Sequence, residues 1–215
     1  MATYQQGANG AFSGKAGSVV GSNWRSIGYL RGLARFKSKS NSPKQAAQRM
    51  RFGMGVSFLQ PMKSLLRIGF NDRVRGRNTG FNQGLRHFVS NAVAGEYPDL
   101  EIDYSQVALS KGAQEKLIGL TLASDAPNTL TLAWANLHDP NSETSFPDDV
   151  VTVLLYNKTE DLFTTNRSAS RQSEGLQLEL PPAFSGHEFH VWVFTQHREG
   201  FEVSTSQYAG TVVLA

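Results

Sequence analysis

Five histidines, no cysteine and many carboxylates bound the chemistry this 215-residue chain could hold. The histidines are His87, His138, His187, His190 and His197. Only His187-Glu188-Phe189-His190 resembles a metal cluster. Its spacing fails, because i and i+3 on a strand face opposite ways, whereas a zincin needs i and i+4 on a helix. Asp148-Asp149 is the densest carboxylate pair, but adjacent side chains diverge and a catalytic dyad must converge. Gly14-Lys15 sits among glycines, yet a phosphate loop requires Ser or Thr after the lysine, and Ala16 stands there. Neither Gly-x-Gly-x-x-Gly nor the Gly-x-Ser-x-Gly elbow of hydrolases occurs. Without cysteine, disulfides, thiolate metal sites and cysteine nucleophiles are excluded. The expectation is a non-enzymatic protein with no cofactor and no metal.

Charge is the informative signal. Residues 1–90 hold 15 Lys/Arg and a single acid, Asp72, while residues 91–215 hold 6 Lys/Arg and 17 Asp/Glu. A net +3 therefore conceals a basic half followed by an acidic one. Segregation of this kind implies a polyanion for the basic half, or pairing of the two halves within a molecule or between neighbours. The residues expected to carry assembly or polyanion binding are Lys15, Arg25, Arg31, Arg35, Lys37, Lys39, Lys44, Arg49, Arg51, Arg73, Arg75 and Arg77. Trp24 and Tyr29 are interleaved with them. Arginine beside exposed aromatics suits phosphate backbones and base stacking, but no base-reading motif accompanies them. Asp148 and Asp149 are the expected acidic partner surface.

Elements able to position these residues can be read from pattern. Phe12–Phe36 is rich in glycine with β-branched and aromatic residues between, which predicts a β-hairpin turning at Gly21-Ser22-Asn23. Its glycines suit a place where another backbone passes close. Lys37–Asn41 reads as a linker. Ser42-Pro43 with Gln45 is a helix start, followed by Ala47, Met50, Met54 and Phe58 at helical spacing and broken by Pro61. A short apolar continuation to Gly69 and a helix over about Phe81–Val93 follow. Ile102–Leu109 reads as a connecting strand.

Beyond Gly112 the pattern becomes one of short strands: Leu117–Ala123, Thr129–Trp134, Val150–Asn157, Leu176–Leu180, Glu188–Gln196 and Ser206–Val213. Their number and spacing, with a tryptophan in an early strand, predict an immunoglobulin- or fibronectin-like β-sandwich. Glu188–Gln196 is apolar on both parities, so its second face needs cover from the N-terminal half or another subunit. The fold class expected is α+β, with a basic hairpin-and-helix module at 1–100 and an acidic sandwich at 101–215.

The stretch Phe12–Gly21, then Trp24 and Arg31, resembles the opening of a family of uncharacterised bacterial proteins with a GKxGxVVG-type start. The resemblance continues through Ser42-Pro43, Gln45, Gln48-Arg49, Phe52, Gly69-Phe70 and Gly95-Glu96-Tyr97-Pro98. It reaches Ile102–Ser105, Leu109-Ser110, Leu155-Tyr156-Asn157 and Ser206-Gln207-Tyr208, nearly the whole chain. Gly32-Leu33-Ala34 departs from it, since the family carries a proline there. The family supplies no activity. The opening is also loosely similar to phage and prophage structural proteins, which implies a virion-like or filamentous setting.

The expected function is thus a structural subunit that assembles with itself through the basic half, with sequence-nonspecific nucleic-acid binding as the alternative. Residues 1–20 lack an apolar core behind a basic start, so cytoplasmic synthesis without a secretory leader is expected, possible membership of a virion or other particle included. No membrane-length apolar run occurs.

Overall fold

The computed structural model describes residues 2–4, 12–24, 27–34, 42–70, 78–136, 142 and 144–215. The chain forms two compact units, Met1–Gln45 with Arg75–Arg77, and Ala46–Val74 with Asn78–Ala215. The change of charge near residue 100 and this division therefore do not coincide.

In the first unit β1 (Ala2–Tyr4), β2 (Gly14–Ala16), β3 (Val19–Trp24) and β4 (Ile27–Gly32) form an antiparallel sheet of order β1-β4-β3-β2. The first turn is Gly17-Ser18, with Gly17 at φ 57°, a left-handed conformation that favours glycine. Gly21 is not a turn residue as expected. It lies mid-strand, paired with Gly14 and Leu30, and a Cβ there would run into the Phe12 carbonyl and ring. The anticipated close approach is real, but it selects a strand glycine.

Three helices follow, the first of them starting at the end of the first unit's Met1–Gln45 segment. α1 (Pro43–Leu59) starts where Ser42 and Pro43 placed it, with Ser42 Oγ accepting from Gln45 N–H at 3.4 Å. Proline at the first helical position costs nothing, since its missing N–H would be unpaired there anyway. α2 (Lys63–Gly69) follows Pro61, and α3 (Gly80–Asn91) is capped by Thr79, whose side chain accepts from Asn82 N–H at 3.1 Å. A small hairpin, β5 (Val93–Glu96) and β6 (Asp99–Ile102), comes next. The strand expected over Ile102–Leu109 is instead the end of β6 and a 3₁₀ turn at Tyr104–Gln106. Asp103 Oδ1 captures the Ser105 N–H at 3.0 Å and turns the backbone.

Seven strands build the sandwich: β7 (Ile118–Ala126), β8 (Thr129–Ala135), β9 (Val150–Asn157), β10 (Leu162–Ser170), β11 (Gly175–Glu179), β12 (Glu188–Gln196) and β13 (Gln207–Val213). One sheet has the order β10-β9-β12-β13 and the other β11-β8-β7, all antiparallel. β10 escaped the sequence reading because LFTTNRSAS alternates weakly and is an edge strand with a bulge between Asn166 and Ala169.

Strand periodicity then decides the layers. Val151, Val153 and Leu155 of β9, with Phe189, Val191 and Val193 of β12, pack inward against Leu130, Leu132 and Trp134 of β8. The other parity, Leu154 and Tyr156 with Trp192 and Phe194, packs against Phe58, Leu66, Phe88 and Leu109. The second apolar face of β12 is thus covered by helices of the N-terminal half. The second unit has three layers: helices, the four-stranded sheet, then the three-stranded sheet. No helix among the described residues is long and apolar enough to cross a membrane.

Candidate interaction surfaces

Of the basic residues singled out, Arg25, Arg35, Lys37, Lys39, Arg73, Arg75 and Arg77 lie outside the described residues. Lys15 and Arg31 stand exposed on β2 and β4, and Lys44 is exposed at the start of α1. Arg49 is exposed on α1, and the half-buried Arg51 has its Nε buried without a hydrogen-bond partner among the described residues. Trp24 is 48% exposed and Tyr29 half-buried.

No apolar side chain before Phe58 is buried among the described residues. Phe12, Val19, Trp24, Leu33, Met50 and Phe52 are all exposed, Phe52 at 53%. α1 has its first buried residue only at Gly55, where a Cβ would stand 2.7 Å from Leu85. The helical stripe read from sequence is therefore real only at its end, Met54 partly and Phe58 fully, while Met50 is exposed.

The acidic surface needs correction. Asp148 is at the surface and pairs with Arg198 at 2.8 Å, and that hydrogen bond holds its carboxyl below the usual range. Asp149 has no accessible surface. Its Oδ1 accepts from Gln114 Nε2 at 2.9 Å, and its Oδ2 accepts from Phe146 N–H at 3.0 Å and from Arg171 Nε at 3.3 Å. Arg171 is also buried and donates to the Glu115 carbonyl at 2.8 Å. A carboxylate enclosed in this way offers no charge to a neighbour, so Asp149 is a structural ion pair.

Sequence reasoning passed over the acids that do face solvent in a defined setting. An open cleft of about 790 Å³ on the outer face of the three-stranded sheet is lined by Asp125, Ala126, Thr129, Thr131, Gln177 and Glu179. Pairing places Glu179 opposite Thr129 on one side and Ala126 opposite it on the other. The outward parity of β8, opposite its buried Leu130 and Leu132, would have indicated the face, but not which distant strands supply its acids.

His190 lies on the helix-facing parity of β12. It stacks on Tyr104 at 3.9 Å between ring centroids, and its Nδ1 is 2.7 Å from Tyr208 Oη. Burial pushes its pKa down, opposed in part by Glu188. His187 instead meets Asn157 Nδ2 at 3.0 Å, so the two histidines do not converge. Among the described residues no three of His, Asp and Glu are grouped to hold a metal ion.

The fold is an immunoglobulin/fibronectin-like β-sandwich in an α+β protein whose outer four-stranded face carries a helical layer. The chain belongs to a family of unknown function, DUF6266, whose model matches residues 11–210. No curated protein matches it. Among solved structures, the chain is similar to the fn3 domain of human collagen alpha-1(XX), at 15% identity and TM-score 0.34 over 48% of this chain and 87% of that one. It is also similar to the fn3 domain of human contactin 1, at 11% identity and TM-score 0.32 over 57% and 93%. A third likeness is to "Titin kinase and its flanking domains", at 12% identity and TM-score 0.33 over 49% and 18%.

Proposed function

We propose that the chain is a non-enzymatic structural subunit that assembles with copies of itself, with residues before Phe58 as its assembling element. The observation that carries this reading is the lack of any buried apolar side chain before Phe58 among the described residues. A sheet needs a buried apolar face, and helix turns need packing, to repay the cost of ordering them. Phe12, Val19, Trp24, Leu33, Met50 and Phe52 are exposed large apolar side chains that a neighbour would cover. The basic residues Lys15, Arg31 and Lys44 lie in the same segment and suit an acidic neighbour. A virion-like or filamentous particle is the kind of body such a subunit would build.

The test is the size of nuclease-treated protein by sedimentation velocity at tens of micromolar and about 0.05 M salt, where charges act over more than about 10 Å. Species far larger than 23.6 kDa are expected, and Trp24→Ser with Phe52→Ser should reduce them to monomer. A sharp monomer for the parent chain would remove the assembly reading. If that monomer also shifted a random duplex with steep salt dependence, nucleic-acid binding would take its place.

A further inference from the structure

Within the second unit the three helices and the three-stranded sheet, which lie in opposite outer layers, differ in the charges they carry, although the β5-β6 hairpin beside the helices adds exposed Glu96, Asp99 and Glu101. α1, α2 and α3 contain no Asp or Glu. α2 turns Leu65 and Leu66 into the core and leaves Lys63 and Arg67, one helical turn apart, exposed on its outer side. α3 buries Leu85 and Phe88 and exposes Arg86. None of these three cations is in an ion pair among the described residues. On the far side of the four-stranded sheet, β7, β8 and β11 contain no Lys or Arg. Asp125 and Glu179 are exposed there on the strands flanking β8, lining one cleft, and unpaired among the described residues. The residues between them are small or polar: Ala126, Thr129, Thr131 and Gln177.

We infer that the chain polymerises head to tail, the basic outer face of α2 and α3 in one copy docking on the acidic outer face of the β11-β8-β7 sheet in the next. This rests on the self-assembly reading and adds, to the contact made by residues before Phe58, a second contact through the second unit that sets the symmetry, neither contact sufficing alone. Charge complementarity selects a second copy as the occupant, since each face presents the sign that the other lacks. The same charges rule against a closed two-fold pair. A two-fold contact joins a face to itself, which here sets cation against cation or carboxylate against carboxylate. Joining opposite layers of one body instead repeats by translation and rotation, and leaves one basic and one acidic end open for growth. The polar, small-residue floor of the cleft suits long Lys and Arg side chains, whose stems cover Ala126 while their heads reach Asp125 and Glu179.

The experiment uses full-length, nuclease-treated protein and two double charge reversals, Asp125→Lys with Glu179→Lys, and Lys63→Glu with Arg67→Glu. All four positions are exposed, and unchanged near-ultraviolet circular dichroism and melting temperature serve as the check that each variant folds. The parent should grow steadily in size with concentration. Each variant alone should lose association by on the order of 100-fold, because like charges then face each other. An equimolar mixture should recover growth, since each variant supplies the sign the other has lost and the copies alternate. Three results would overturn the inference: a parent that stops at a discrete dimer at every concentration, either variant assembling like the parent, or a mixture that stays monomeric. If the parent assembles while the reversals have no effect, only the head-to-tail contact fails. A monomeric parent removes the self-assembly reading itself.

Discussion

Replacing Arg171 by methionine tests the reassignment of Asp149 from surface to structure. The substitution keeps an apolar stem and deletes the guanidinium, so Asp149 is left as an enclosed carboxylate without its cation, 3.3 Å away in the parent. Stranding one member of a buried pair costs about 3–5 kcal/mol. The Glu115 carbonyl also loses its donor at 2.8 Å. For a chain of this length each kcal/mol moves the melting midpoint by about 2–4 °C, so a fall of about 6–20 °C is expected. Thermal and urea unfolding followed by circular dichroism and tryptophan fluorescence measure it. The double variant Arg171→Met with Asp149→Asn removes the stranded charge, while an amide oxygen can still accept from Phe146 N–H or Gln114. It should regain at least half of the loss. A single variant within about 1 kcal/mol of the parent, or a double variant no better than the single one, would refute the buried pair. Below its melting temperature the double variant should assemble like the parent, because neither group reaches the surface.

Two glycines predict opposite effects on melting temperature. Gly53→Ala, in an exposed turn of α1 with nothing within 4 Å of a Cβ, should stabilise by about 1 kcal/mol. Gly80→Ala must push a methyl into the Leu66 carbonyl and should destabilise by at least about 1–3 kcal/mol. Burial holds His190 below its ordinary 6.5, so the folded chain prefers the neutral ring and the unfolded chain protonates first as pH falls. Stability should be full above about pH 6.5, decline below it, and level off once the pH passes beneath the depressed value. His190→Gln should reduce that decline in a pH series of urea titrations without abolishing it, because burial and Lys111 depress His87 in the same sense. An unchanged slope would count against the buried neutral ring.

Legibility followed the strength of local signals. β9 and β12 were read with their observed ends because both faces are covered, which makes them continuous apolar runs. α1 was readable at its start, since Ser42 and Pro43 act through the adjacent backbone. The hairpin turn was misplaced because glycines serve two purposes there, a left-handed turn at Gly17 and a close approach at Gly21, and composition does not separate them. Asp148 and Asp149 looked equivalent as neighbours in sequence. Their difference arises from Gln114 and Arg171, which fold in from remote segments. Asp125 and Glu179 went unnoticed for the same reason, being joined only through the register of β8 with its two neighbours.

The double cover of β9 and β12 has a consequence during synthesis. The helices that cover Leu154, Tyr156, Trp192 and Phe194 leave the ribosome before those residues are made. Leu59, Leu66 and Phe88 must therefore wait in an incomplete chain while β7 and β8 are added, and even β9 supplies only half of their platform. A nascent chain paused between β8 and β12 carries an apolar helical surface with no complete seat, which is the species a holding chaperone would recognise. Completion of β12 converts that exposed surface into the middle of the molecule in a single step.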